Sequence, residues 1–176
     1  LVDITNYFTL AFGRPLHVYD LAKLRGNLVV RTATAGESFL ALNDKTYALE
    51  PRDCAITDDS GVIGLGGIMG GASTAVDATT KDIVLECAWF TPERIARSGR
   101  ALHLESDARQ RFERGVDHGF LETADLRATE MIVELCGGTP TARAVAGSLV
   151  QATPTIPFDP AATNALVGLE IREEEQ

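Results

Sequence analysis

Between residues 2 and 12 the apolar side chains Ile4, Tyr7, Phe8, Ala11 and Phe12 recur at helical spacing. Gly13 follows as a stop, so the pattern predicts a helix over 2–12. Residues 14–26 read as a turn followed by a short helix closed by Gly26. From there the period shortens. Residues 27–33 form a β-rich run. Residues 36–60 alternate short apolar pieces with the turn formers Asn43-Asp44, Pro51-Arg52 and Asp58-Asp59-Ser60-Gly61, a meander of short strands. Residues 55–59 and 62–68 make the arms of one predicted hairpin, and 83–90 is a predicted buried strand.

Past residue 90 the pattern turns helical. Thr91 is placed to cap a helix with Pro92 at its first position, and a second helix starts at Ser106. A third runs from Asp117 to Cys136, with Phe120, Leu121, Ala124, Ala128, Met131, Ile132 and Leu135 as its stripe and Gly137-Gly138 as its end. Residues 153–160 read as a Pro-punctuated linker, followed by a short helix, a stop at Gly168 and an acidic tail. The predicted class is α+β: a strand-rich, mixed, β-sandwich-like core with flanking helices. Residues 1–150 are expected to form one domain, and 151–176 a linker with the truncated start of the next.

Composition agrees with a globular chain: of 176 residues, 45% are hydrophobic and 23% charged, which argues against disorder and coiled coil. No stretch approaches the roughly 18 apolar residues that a membrane span needs. The first residues lack the basic region of a secretory signal and an initiator Met, so a piece of a longer chain is expected. Three cysteines (Cys54, Cys87, Cys136) at wide spacing indicate neither a zinc ribbon nor a disulfide framework, and a reducing cytoplasm is the simplest setting.

Charge changes the picture more. The net charge of −9 argues against a generic nucleic-acid coat. Yet arginine outnumbers lysine 13 to 3, and six arginines (94, 97, 100, 109, 111, 114) crowd into residues 92–114. That segment is either a salt-bridged helical surface or a contact for a polyanion, since the guanidinium fork matches phosphate geometry.

Residues 64–71, GLGGIMGG, hold five glycines in eight positions. The spacing is neither a dinucleotide fingerprint nor a P-loop. It fits a tight crossing of strands, or a pocket wall of bare backbone that leaves room for a bulky ligand. Glu86 interrupts an apolar run, so its carboxylate either points to solvent or is buried against a donor. His17 stands alone, and Ser106-Asp107 is explained by helix capping. No nucleophile elbow and no metal-ligand cluster is present in the sequence.

Four strings in this order carry a resemblance. They are Asn6-Tyr7 with 13–20 (GRPLHVYD), then 67–71 (GIMGG), then Leu85-Glu86, then Ser106-Asp107-Ala108 leading to 111–117 (RFERGVD). Over residues 1–150 the chain resembles the central editing, tRNA-contacting domain of the bacterial phenylalanyl-tRNA synthetase β subunit. There the corresponding strings read NY, GQPLHAFD, AGIMGG, an LES-type strand, and a TDAS- or TESS-like helix start before RFERGVD. Arg14, Tyr19, Glu105, Ser106 and Arg109 depart from that pattern.

The resemblance implies hydrolysis of tyrosine wrongly esterified to tRNA(Phe). Glu86 would accept the tyrosine hydroxyl, and Gly70 and Ala108 would leave room for the ring. Asn6 and Thr5 would hold the α-amino group or the ester, while His17 and Ser106 would position water or the terminal adenosine. It implies no cofactor in this segment, with ATP and Mg2+ used elsewhere in the whole ligase. The implied partners are the 3′ end of Tyr-charged tRNA(Phe) and the synthetase α subunit, with neither DNA nor membrane. The alternative is a non-catalytic tRNA-binding or scaffold module of the same subunit.

Overall fold

The computed structural model describes residues 1–148 and 155–175, which divide into two units, 1–143 and 144–176. In the first unit, helix α1 (Val2–Phe12) ends on Gly13 in the left-handed conformation. Eight strands follow: β1 (His17–Asp20), β2 (Val29–Thr32), β3 (Ser38–Leu40), β4 (Thr46–Ala48), β5 (Cys54–Asp58), β6 (Gly61–Leu65), β7 (Met69–Gly70) and β8 (Ile83–Glu86). Helices α2 (Pro92–Ala101), α3 (Asp107–Phe112) and α4 (Leu121–Cys136) complete the unit.

The strands form three antiparallel sheets: β1-β8, β3-β4 and the four-stranded β2-β5-β6-β7. The fold is α+β, as the pattern predicts. The hairpin expected within 55–68 is β5 and β6; the short strands expected over 36–60 are β3, β4 and β5, but they do not form one meander, since β3 and β4 pair with each other and β5 belongs to the four-stranded sheet.

Three local expectations differ. Residues 17–24 form strand β1 and a 3-10 turn over Leu21–Lys23 instead of a helix. Long-range pairing with β8 claims His17–Asp20, and the Asp20 carboxylate then caps the turn by accepting from the Ala22 amide at 3.0 Å. The strand expected over 83–90 stops at Glu86 and is half-buried, since β1 is its one neighbour in the sheet. Thr91 stands at the N-cap of α2, but its hydroxyl makes no capping bond.

The β1-β8 ribbon separates two apolar clusters, and period-2 alternation decides which residue faces which. Tyr19 and Val84, opposite one another in register, join the main core with Ile63, Leu65, Ile68, Phe90, Ile95 and Phe112. Leu85 turns the other way, towards Ile4 and Phe8 of α1 and Ala128 of α4. Arg14 is buried between these elements, its guanidinium donating to the carbonyl of Ala88 at 3.0 Å and to that of Asp117. Burial lowers its pKa, since the charge has given up water for carbonyl dipoles.

In the second unit, helix α5 (Pro160–Val167) is capped by Asp159 and ends on Gly168 in the left-handed conformation. The Asn164 amide brackets Ile171 at 2.9 and 3.1 Å. Of the predicted linker, residues 153 and 154 lie outside the described residues, as does the expected boundary at 150–151, while 155–159 have no regular structure.

The glycine run proves to be a close crossing. Gly71 donates its amide to the Ile63 carbonyl at 2.8 Å, and a Cβ on Gly71 would sit 2.3 Å from that oxygen. Gly71→Ala must therefore push backbone against backbone. It is expected to destabilise by about 1–3 kcal/mol and lower Tm by about 3–10 °C. An unchanged thermal melt would mean that β6 and the β7 end can part without loss.

Candidate functional site

The ribbon brings two of the predicted residues, His17 and Glu86, together by register. His17 and Glu86 are direct partners across the antiparallel pair, so their side chains stand on one face. Tyr19, two residues on, shares that face. Its hydroxyl donates to Glu86 Oε2, and its ring meets the His17 imidazole edge-on, centroids 4.4 Å apart at 79°. Among the described residues Glu86 has no ion pair. Tyr19 supplies its one hydrogen bond, leaving Oε1 open.

Gly70 lies against the imidazole. A Cβ there would lie 2.3 Å from His17 Cε1 and 2.8 Å from Nε2, so the missing side chain is what admits the imidazole. His17 Nε2 is buried without a hydrogen-bond partner. Burial lowers the His17 pKa, against the opposing pull of Glu86, and favours the neutral ring. A neutral imidazole with an unpaired nitrogen can orient a hydroxyl or water.

Ser106 joins α3 to the glycine run. It caps α3 by accepting from the Arg109 amide at 3.0 Å and donates its own proton to the Ile68 carbonyl at 2.6 Å. The hydroxyl thus ties the start of α3 to the turn that leads into Met69 and Gly70. Ala108, half-buried one residue into that helix, packs against the main core. Thr5 spends its hydroxyl on the Val2 carbonyl at 2.8 Å within α1, and Asn6 beside it is exposed.

The sequence profile of the B3/4 domain matches residues 1–137. The chain belongs to the B3/4 domain family. Along its whole length it is 48% identical to the phenylalanine–tRNA ligase β subunit of Novosphingobium aromaticivorans, 22% of which it covers. Against the β subunit of Bartonella henselae it is 46% identical over 99% of this chain and 22% of that one. It therefore spans about a fifth of the length of these curated relatives. Among solved structures it resembles an N-terminal fragment of the phenylalanyl-tRNA synthetase β subunit from Pyrococcus horikoshii. The TM-score is 0.52 at 15% identity, over 99% of this chain and 52% of that one, a likeness of fold.

Much of the sequence that marks this B3/4 domain turns out to be framework. Arg111 Nε donates to the Thr9 carbonyl at 2.7 Å, linking α3 to α1. Phe112 is buried edge-on to Phe90 with centroids 5.1 Å apart. Arg109 lies across Gly99, where a Cβ would fall 2.2 Å from its Nε, and it pairs with Glu113 at 3.0 Å.

Arg94, Arg97 and Arg100 are different. They are exposed, and among the described residues they make no ion pair. Helical spacing sets them on the face of α2 opposite the buried Ile95, Ser98 and Gly99. The Arg-rich segment is thus part salt-bridged surface and part unneutralised cation. A depression of about 550 Å3 beside it is lined by Gly99, Arg100, His103, Glu105 and Arg109. No helix among the described residues is long and apolar enough to cross a membrane.

Two contributors carry no signal in the hydrophobic pattern of the sequence. Tyr19 is hidden because residues 14–26 read as a turn and a short helix, and only a strand places it on the face of His17 and Glu86. Arg14 gives no hint of its role, because its partners are main-chain carbonyls far along the chain.

Proposed function

We propose that this B3/4 domain clears tyrosine wrongly esterified to tRNA(Phe), with Glu86 accepting the tyrosine hydroxyl. The observation that carries the reading is the chemistry of Glu86: a half-buried carboxylate without a cation, already bonded to one phenol and with an oxygen to spare. A hydroxyl added to a ring is rejected by an apolar synthetic pocket only on the order of a hundredfold. A site that must hydrogen-bond that hydroxyl discriminates in the opposite sense by roughly ten-thousandfold, because phenylalanine brings no donor to the second carboxylate oxygen.

The reaction is ester hydrolysis. A water oxygen attacks the aminoacyl carbonyl, the terminal ribose oxygen leaves and takes a proton, and tyrosine and free tRNA depart. His17 orients the water or the terminal adenosine through its unpaired nitrogen. Ser106, its proton committed to Ile68, holds the wall of the pocket. No nucleophile–base pair is present in the cluster, so an oriented water assisted by substrate groups is the attacking species. Asn6 and Thr5 hold the amino end of the substrate. In this reading the domain works in the cytoplasm as part of a ligase of protein synthesis. Its α subunit carries the aminoacylation site, where ATP and Mg2+ act. The test is deacylation of Tyr-tRNA(Phe) by the full-length protein with and without Glu86: loss of Glu86 should slow it, and an unchanged rate would end this reading.

The unpaired Arg94, Arg97 and Arg100 favour a second reading, in which the domain holds tRNA without hydrolysing it. Reversing all three to glutamate is expected to weaken tRNA binding. The slope of log affinity against log salt should fall by about two, at roughly 0.7–0.9 for each phosphate no longer neutralised. An unchanged slope would remove this face from the tRNA interface. The second reading replaces the first if loss of Glu86 alters tRNA affinity or assembly but not hydrolysis.

A further inference from the structure

We propose that Tyr19 is a positioning residue for recognition: its hydroxyl holds one oxygen of Glu86 so that the other is presented to the substrate's phenol. The inference rests on the editing reading of Glu86 and deepens it. A glutamate side chain turns about three bonds, and an acceptor that must meet a hydroxyl in one place gains from being held beforehand. Among the described residues no arginine, lysine or main-chain amide holds the Glu86 carboxylate, and Tyr19 Oη is its sole donor.

Tyr19 is suited to the task. It is 1% exposed and packed in the main core. Its ring is fixed between that core and the edge-on imidazole of His17. Burial and the neighbouring Glu86 charge both push its ionisation upward, so the hydroxyl stays a donor through neutral pH. Space-filling alone does not explain it: a buried hydroxyl needs a partner, and the partner is the carboxylate of the site. Donation to Oε2 leaves Oε1 as the open acceptor, and an ionised carboxylate accommodates both donors.

The test is Tyr19→Phe in the full-length protein, which keeps the ring and removes only the hydroxyl. KM for deacylation of Tyr-tRNA(Phe) is expected to rise about tenfold, with kcat within about twofold, from one charge-assisted hydrogen bond lost to positioning. Hydrolysis of Phe-tRNA(Phe) should stay within about twofold. The fold should persist, with no more than about 5 °C lost in Tm. Combined with Glu86→Ala, Tyr19→Phe should add nothing, since it acts through Glu86.

Equal slowing of both esters would mark Tyr19 as merely structural and overturn the proposal, as would an unchanged KM or additivity with Glu86→Ala. So would a variant that hydrolyses Tyr-tRNA(Phe) more selectively, because Tyr19 would then be competing for Glu86. If Glu86→Ala abolishes discrimination while Tyr19→Phe leaves it intact, only the role of Tyr19 falls. If Glu86→Ala itself has no effect on Tyr-tRNA(Phe), the editing reading falls first.

Discussion

Glu86→Ala is expected to slow hydrolysis of Tyr-tRNA(Phe) by about ten- to a hundredfold, the loss of a charge-assisted hydrogen bond of roughly 1.5–3 kcal/mol. Phe-tRNA(Phe) should be hydrolysed as slowly as before or somewhat faster, because the carboxylate oxygen to which phenylalanine brings no donor has gone. The signature is a collapse of selectivity. A general base would behave otherwise, since its removal slows both esters alike. Alanine also strands the buried Tyr19 hydroxyl, so Glu86→Gln, which keeps an acceptor for Tyr19, is the companion variant. Deacylation rates of both esters, measured beside Tm, separate the roles. Equal proportional losses in Glu86→Ala would assign Glu86 to catalysis or folding and end its part in recognition.

Gly70→Trp is expected to block clearance of Tyr-tRNA(Phe) by more than about a hundredfold while charging with phenylalanine survives. A single Cβ at Gly70 already falls within 2.3 Å of His17 Cε1, so alanine must displace the imidazole and an indole must take over the space beside Glu86. The graded series Gly, Ala, Trp should lose activity in that order. Ala108→Trp is a less clean probe, because Ala108 packs against the main core and tests packing together with space. Clearance at the parental rate by Gly70→Trp would place the pocket elsewhere.

The elements that the sequence made legible are those whose signals are local. Helix α1 carries its own stripe and its own stop, and the β5-β6 hairpin its turn at Asp58-Asp59-Ser60-Gly61. Helix α3 carries a serine whose capping bond is observed. Residues 17–24 failed for the opposite reason. Nothing within them announces β8, and pairing with residues 83–86 overrides whatever the segment favours alone. The candidate site suffered likewise. Glu86, His17 and Gly70 could be singled out as an interrupted apolar run, a lone imidazole and a missing side chain. Tyr19 required the register, because its hydroxyl matters only once alternation has turned it towards Glu86. The arginine cluster was visible as a cluster, but its division into paired and unpaired members depends on which face of α2 or α3 each occupies.

The β1-β8 ribbon has a consequence for the order of events in folding. Its two strands meet only after residues 21–82 have been gathered between them, and closing so long a loop is repaid late. Pairing His17 with Glu86 before the intervening sheets form carries the full cost of closing that loop. A slip of one residue in the same ribbon would set Leu85 where Glu86 belongs and turn the carboxylate towards α1 and α4. A misregistered chain thus presents an apolar side chain in place of the carboxylate.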